Sequence, residues 1–410
     1  MQILQQNLKH KLFAGELSLT GEIRPVRGII NIIEAAKAHG FHEVYIPAGN
    51  ATQAALVAND IDIYPVQNLR ELWLKLKSLS AFSPLKPFVK NTQKDKHEHI
   101  TFDDICGQSQ AKRALTIAVA GRHNILLQGP PGTGKSMLAK CVPSLLPSMS
   151  LSECIAVTKL HSLVHETTQA ITERPFRAPH HSASISAMLG GGPQSLPGEI
   201  SLAHNGVLFL DEFAEYPRNI LEALRQPLED RQIAISRANI KTTYPANIML
   251  VATANPCPCG YYQSPDHACT CTPQQLQAYQ KKLSGPLLDR IDITFTVNRP
   301  SESVLFKSTT IGSPEHASAK ILIQTALNNQ FNRYHNAAIF NSSLSSHETA
   351  TLVQLTRPAK KLLEAATKSQ AFSARAFFKI IKVARTIADL ESSEKVEESH
   401  IAEAIAYRLR

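Results

Sequence analysis

A glycine-rich segment of eight residues constrains this chain more than any other feature. Residues 124–128 indicate a short buried strand before it, and a helix-forming stretch follows it. The segment fits the pattern G-x-x-x-x-G-K-S in its required strand–loop–helix context; its residues are Gly129, Pro130, Pro131, Gly132, Thr133, Gly134, Lys135 and Ser136. Glycines here let backbone N–H groups turn inward around phosphates. We expect the loop to bind ATP, with Lys135 on the β- and γ-phosphates and Ser136 on Mg²⁺.

Two further strand ends carry polar residues suited to phosphoryl chemistry. Asp211 and Glu212 follow the apolar residues 206–210, and Asn255 follows the apolar residues 248–252 after Thr253-Ala254. Hydrolysis of a triphosphate depends mostly on positioning and on charge stabilisation. We expect Asp211 to bind Mg²⁺ directly or through water, Glu212 to polarise the attacking water, and Asn255 to orient it near the γ-phosphate.

Two arginines are candidates for a role in a ring of subunits. Arg290 lies within residues 284–292 at the edge of the α/β region, where a guanidinium suits a finger that completes a neighbour's site. Arg375 opens the best C-terminal helix pattern, residues 373–391, and suits a sensor that couples that region to the γ-phosphate. The alternative for either residue is a surface salt bridge.

The order of patterns predicts an α/β chain in four parts. Residues 1–80 indicate a small α/β unit, and residues 81–100, with several prolines and lysines, indicate a linker. Residues 101–299 alternate strands and helices, which is typical of a parallel sheet, and residues 300–410 are mostly helical by pattern.

The charge balance and the apolar runs bear on the partners. The formal net charge is +9, which favours a polyanionic partner such as DNA but is equally compatible with a basic protein that binds none. The longest apolar runs, residues 206–210 and 248–252, are far shorter than the roughly 18 residues of a membrane span. No secretory signal is visible. We therefore expect no membrane partner and a cytoplasmic location.

Residues 232–244 predict a hairpin that is a candidate DNA contact. Arg237 and Lys241 near its tip are suited to phosphates, and the loop at residues 190–199 is a second candidate. The alternative is two solvated surface loops.

Four of the seven cysteines lie within fifteen positions. Cys257 and Cys259 form one C-x-C pair, and Cys269 and Cys271 form another. Four thiolates in a short loop can surround Zn²⁺, although C-x-C is tighter than the usual C-x₂-C; free thiols are the alternative. For the neighbouring His180 and His181 we favour a structural role over metal binding.

Several segments together resemble the magnesium-chelatase-like branch of AAA+ ATPases, and specifically the ComM/YifB competence-protein family. They are residues 129–136, 174–182, 190–193, 197–200, 206–213, 255–260, 284–292 and 373–375. The resemblance implies a P-loop AAA+ parallel-sheet core with a helical lid, assembled as a homo-hexamer. It also implies DNA-dependent branch migration, with helicase-type motion on single-stranded or branched DNA, that supports recombination in natural transformation.

Residues 1–80 resemble the second half of a Lon-protease-like domain, through residues 15–17 and 24–28. The first half of that domain is absent, so we expect a partial, N-terminally truncated domain. Ile30 occupies the place of the catalytic lysine in Lon proteases, and proteolysis is therefore not expected.

The leading hypothesis is an ATP-driven ring motor on DNA. The first rival is a chelatase-type ATPase that remodels a protein partner. The second rival is a scaffold that does not hydrolyse ATP because the truncation prevents assembly. ATPase measurements with and without single-stranded DNA distinguish the three.

Overall fold

The computed structural model describes residues 8–77, 83–89, 100–164, 168–237, 240–263, 267–282, 287–299, 314–370 and 372–408. The side chains of residues 236, 237 and 240 are outside this description. Part of the predicted linker, the turn of the predicted hairpin and residues 283–286 also lie outside the described residues.

A small α/β unit comes first. Its strands are β1 (Lys11–Phe13), β2 (Glu16–Leu17), β3 (Ile23–Arg24), β4 (Glu43–Pro47) and β5 (Asp62–Val66), and its helices are α1 (Ile29–Ala38), α2 (Ala51–Ala54) and α3 (Leu69–Leu76). Strands β1, β4 and β5 form a parallel sheet, and β2 pairs with β3 in antiparallel fashion. Helix α1 ends before Gly40, whose φ of 77° is typical of a residue that terminates a helix.

The middle of the chain supplies the main sheet. Its elements are α4 (Ser109–Gly121), β6 (Ile125–Gln128), α5 (Lys135–Lys140), α6 (Val142–Leu145), α7 (Leu151–Val164), β7 (Phe176–Arg177), α8 (Ile185–Leu189), β8 (Gly190–Gly191), β9 (Leu196–Pro197), α9 (Glu199–Leu202), β10 (Val207–Leu210), α10 (Arg218–Ala223), α11 (Arg225–Asp230), β11 (Gln232–Arg237), β12 (Ile240–Pro245), β13 (Met249–Ala254), α12 (Pro273–Lys282) and β14 (Ile293–Thr296). Five strands lie parallel in the order β14-β6-β13-β10-β7. Every residue of β10 and β13 is buried, as expected for central strands covered on both faces. The predicted α/β fold class is confirmed.

The parallel arrangement separates the two edges of this sheet. Gly129 follows the carboxyl end of β6, whereas Asn124 precedes its amino end. Asn124 donates a side-chain hydrogen bond of 3.0 Å to the carbonyl oxygen of Arg290, so Arg290 lies at the amino edge. A strand of four residues spans about 13 Å. Residues after the strands and residues before them therefore form separate surfaces.

Helices alone form the regular structure of the described C-terminal region. They are α13 (Glu315–Tyr334), α14 (Ser346–Leu352), α15 (Arg357–Gln370), α16 (Ala374–Leu390) and α17 (Glu398–Ala406). The hydroxyl of Ser373 accepts a hydrogen bond from the backbone of Ala376 and caps α16. Ile380 and Ile387 of α16 belong to the same buried cluster as Leu115 of α4, so the helices share one core with the sheet.

The N-terminal unit packs against α7. Ile33 and Ile30 share a buried cluster with Cys154 and Val157 of that helix. The ammonium group of Lys159 lies 2.5 Å from a carboxylate oxygen of Glu34. Ile30 is thus fully buried in a core.

Residues 83–89, within the predicted linker, lie along the N-terminal unit. Leu85 donates a backbone hydrogen bond to Ile63, and Phe88 donates one to Ala55, at 2.8 and 2.9 Å. Leu85 and Phe88 also pack against the apolar core of that unit. This stretch is therefore attached to the unit, unlike the solvated tether that its composition indicates. No helix among the described residues is long and apolar enough to cross a membrane.

A buried carboxylate stabilises the helical region, and its removal is expected to be costly. Asp389 is fully buried and binds the guanidinium groups of Arg333 and Arg385 together with the amide of Asn341. Alanine at position 389 leaves the buried Arg385 charge without its carboxylate, so we expect a loss of about 3–5 kcal/mol in the free energy of unfolding. Urea denaturation followed by circular dichroism measures it.

Asp60 provides the matched control for this substitution. Its ion pair with Lys37 is exposed on both sides, so Asp60→Ala is expected to change stability by no more than about 0.5 kcal/mol. Equal stabilities of the two variants would contradict the structural role of Asp389.

Candidate functional site

The glycine-rich loop has the backbone conformation that its sequence requires. Gly132 and Gly134 have φ angles of 78° and 85°, in the left-handed region that glycine adopts without strain. At Gly129 an added Cβ would lie 2.3 Å from the carbonyl oxygen of Val297, so only glycine fits there. The loop leads from β6 directly into α5, the arrangement in which backbone amides can surround a phosphate.

Lys135 is folded back onto this loop. Its ammonium group donates to the carbonyl oxygens of Gly129 and Pro130 at 2.8 and 2.7 Å and to the side-chain oxygen of Asn255 at 3.3 Å. Lys135 is 8% exposed. This burial lowers its pKa, while the carboxylates of Asp211 and Glu212 act in the opposite direction. The ammonium is therefore held within the loop where phosphates would bind.

The carboxylate of Asp211 lies beside the start of α5. The hydroxyl of Ser136 is 3.1 Å from each of its oxygens, and the Thr253 hydroxyl donates to one of them. Thr253 also accepts a hydrogen bond of 3.1 Å from the backbone of Glu212. Parallel strands β10 and β13 are neighbours, so their carboxyl ends bring these residues together. Hydroxyl and carboxylate oxygens are ligands suited to Mg²⁺.

Glu212 and Asn255 are the two remaining predicted residues of this site. Glu212 follows Asp211 directly, is exposed and has φ 51°. Asn255 touches Lys135 through its side chain, and its carbonyl oxygen accepts a hydrogen bond of 3.1 Å from the Tyr279 hydroxyl. The structure thus brings Lys135, Ser136, Asp211 and Asn255 to one place.

Arg290 and Arg375 lie elsewhere, in a cleft at the amino edge of the sheet. Both guanidinium groups bind the same carboxylate oxygen of Glu229, that of Arg290 at 2.6 Å. The hydrogen bond from Arg375 and the charge of Arg290 hold the pKa of Glu229 below its ordinary value. The cleft has a volume of about 520 Å³, and its basic lining consists of Arg122, Arg231, Arg290, Arg375, Lys379 and Lys382. No described residue of the glycine-rich loop lines this cleft.

The two predicted DNA-contacting segments touch each other. Strands β11 and β12 form the predicted hairpin in antiparallel register, with the exposed Lys241 on β12. The Tyr244 hydroxyl donates a hydrogen bond of 2.8 Å to the carbonyl oxygen of Ser195 in the 190–199 loop. The side chain of Arg237 lies outside the described residues.

The four clustered cysteines converge beyond β13. Their sulfur atoms all lie within 4.8 Å of one another. Cys257 is buried, and Cys259, Cys269 and Cys271 are partly buried. The rings of His180 and His181, by contrast, lie against each other with centroids 4.0 Å apart and planes tilted by 34°.

Three contributors to these surfaces are absent from the sequence-based prediction. Thr253 precedes Asn255 by two positions, and a polar residue in an otherwise apolar strand was the signal that could have found it. Gln108 donates hydrogen bonds to the carbonyl oxygens of Thr133 and Asn298 from across the loop. The role of Glu229 could not be predicted from the neighbouring sequence, because the two arginines that it binds are distant in the chain.

Comparisons with known proteins agree across the chain. Residues 101–305 match the family model described as magnesium chelatase, subunit ChlI, residues 315–408 match that of the ChlI C-terminal part, and residues 1–50 match a further model of subunit ChlI. Competence protein ComM of Haemophilus influenzae is 41% identical over 411 residues, which cover 99% of this chain and 79% of that protein. The uncharacterized protein YifB of Escherichia coli is 39% identical with the same coverage of each chain. An uncharacterized protein of Mycobacterium tuberculosis is 44% identical over 298 residues, 72% of this chain and 58% of that protein.

Proposed function

This chain belongs to the family of magnesium chelatase subunit ChlI and competence protein ComM, as its motifs predicted, and on that premise we propose that it is an ATP-hydrolysing ring motor that acts on DNA. One observation carries the proposal: the catalytic groups are divided between opposite edges of one sheet. The phosphate loop and its carboxylates lie at the carboxyl edge of the sheet, whereas Arg290 and Arg375 lie at its amino edge. A subunit of this design completes its site only with a neighbour.

The carboxyl edge would bind ATP and prepare its γ-phosphate. The loop amides and Lys135 hold the phosphates, which replace the carbonyl oxygens now bound by the ammonium group. Ser136 and Asp211 supply hard oxygen ligands for Mg²⁺, whose charge would balance that of the phosphates. Glu212 polarises the attacking water, and Asn255, held by Lys135, orients it.

The amino edge would act on the neighbouring subunit's nucleotide. Arg290 is separated from its own loop by the length of β6, about 13 Å, so its guanidinium would act on another subunit's nucleotide. Its side chain is 9% exposed and bound to Glu229, so it would have to leave that carboxylate to do so. Head-to-tail contacts of this kind close into rings. Glu229 fixes both guanidinium groups in the cleft until a more highly charged γ-phosphate competes for them. The expectation of six subunits in the ring comes from the family resemblance.

DNA as the partner is supported by charge and by the hairpin. The net charge of +9 favours a polyanion, and Lys241 is exposed on a hairpin that is braced by Tyr244 against a second loop. A relative at 41% identity bears the name competence protein. We propose that the chain is cytoplasmic and drives branch migration of single-stranded or branched DNA during natural transformation.

One specific observation favours a second function. The family models are described by a magnesium chelatase subunit, so a chelatase-type ATPase that remodels a protein partner is the rival motor. The amino and carboxyl edges would act in the same way in either motor. Only the response to DNA differs.

Steady-state ATPase activity with and without single-stranded and branched DNA tests the proposal. Stimulation by DNA is expected; turnover indifferent to DNA supports the chelatase-type remodeller, and absence of turnover supports a scaffold. Lys241→Ala should reduce DNA affinity and lower the salt slope of binding by about 1, because one phosphate contact is lost. Lys361→Ala, an exposed lysine of α15, removes the same charge and should leave the slope unchanged.

A further inference from the structure

The structure assigns a second metal site to this protein: we propose that Cys257, Cys259, Cys269 and Cys271 bind one Zn²⁺ ion that braces the phosphate loop. The sulfur of Cys257 lies 3.3 Å from that of Cys259 and 3.8 Å from that of Cys269, and the last two are 3.5 Å apart. Four sulfurs at the Zn–S distance of about 2.3 Å form a tetrahedron with edges of about 3.8 Å. These three separations are close to that edge, and all four sulfurs lie within 4.8 Å of one another.

The backbone around the cluster is arranged as in a thiolate site. Tyr262 donates its amide to the sulfur of Cys257 at 3.2 Å, and Cys259 donates its amide to the sulfur of Cys271 at 3.4 Å. Hydrogen bonds of this kind orient metal-binding sulfurs and offset their negative charge. Four sulfurs with no metal between them would gain little from such close packing.

The cysteine loop is in direct contact with the nucleotide site. Gly260, which closes a turn with Cys257, has φ 87°, and an added Cβ would lie 2.7 Å from Cδ of Pro131 in the phosphate loop. The loop begins right after Asn255 and ends before α12, whose Tyr279 binds the carbonyl oxygen of Asn255. The metal would thus fix Pro131 from one side and Asn255 from the other. A thiol cluster distant from the site would have no such consequence.

Metal analysis of the full chain tests the binding half of this proposal. Protein made in zinc-supplemented cells and dialysed against metal-free buffer is expected to retain about one zinc ion per chain by mass spectrometry of the metal. Cys259→Ser and Cys271→Ser should lose most of it, whereas Cys106→Ser, at an exposed cysteine outside the cluster, should retain it. Wild-type protein with only a small fraction of one zinc ion per chain would overturn the proposal.

Nucleotide affinity tests the bracing half, which rests on the proposed function. Cys271→Ser should bind a fluorescent ATP analogue about tenfold more weakly than wild type, since the contact with Pro131 loosens. Gly260→Ala retains all four thiols, so it should keep its zinc and still bind the analogue more weakly. Wild-type affinity in both variants would overturn the bracing role. Zinc content is measured without nucleotide. If the wild type failed to bind ATP, the proposed function would be contradicted, but the zinc measurement would still test the metal site.

Discussion

Alanine in place of Lys135 is expected to reduce kcat for ATP hydrolysis by about 10²–10³-fold, the cost of losing one aligned charge in a phosphoryl-transfer site. The ammonium group lies within the loop, where it binds two carbonyl oxygens and the side chain of Asn255. Coupled-enzyme measurement of phosphate release gives kcat, and circular dichroism verifies that the variant is folded.

Lys140 is the control for this substitution. It lies on the same helix α5, is exposed, and would lose the same charge. We expect Lys140→Ala to retain wild-type turnover within about twofold, because exposed substitutions away from the site have small effects. A Lys135→Ala protein that hydrolyses ATP at a rate near wild type would refute the proposed role of the loop.

If Arg290 acts as an arginine finger, as proposed, its replacement by alanine is expected to reduce turnover by about 10³-fold or more while nucleotide binding stays intact. The guanidinium lies at the edge of the sheet opposite to its own loop, so its loss leaves that loop complete. Equilibrium binding of a fluorescent ATP analogue separates this defect from a folding defect.

Mixing the two inactive variants identifies the neighbour's contribution. An Arg290→Ala subunit keeps its loop and a Lys135→Ala subunit keeps its arginine, so an interface between them is complete. Random mixing at equal amounts should restore about a quarter of the wild-type interfaces. Mixtures with the double variant should stay inactive, and Arg218→Ala, at an exposed arginine on α10, should have full activity alone. No recovery in the mixture would refute action between subunits.

The sequence predicted the features that depend on short-range patterns. The phosphate loop follows a buried strand, and the carboxyl ends of parallel strands meet at one edge, so Asp211 and Asn255 could be placed beside Lys135 without coordinates. The glycines at 132 and 134 were predictable in the same way, because only that backbone conformation forms the loop.

Long-range contacts were beyond such reasoning. Glu229 is 61 positions from Arg290 and 146 from Arg375, and no local periodicity connects them. The same holds for the attachment of residues 83–89, because prolines and lysines indicate a tether unless the surface that receives Leu85 and Phe88 is known. Contacts between residues that are distant in the chain produce no local sequence pattern from which they could be predicted.

The shared carboxylate of Glu229 has a consequence for the order in which the two arginines of a ring subunit would reach the nucleotide of a neighbour. One acid that serves two guanidinium groups is more strongly attracted to either of them when the other departs, since the competing donor is gone. Once the first arginine has moved from Glu229 to the nucleotide of a neighbouring subunit, the ion pair between Glu229 and the second arginine would therefore be stronger. In the proposed ring, the two arginines would therefore leave Glu229 one after the other, and the second would leave less readily than the first.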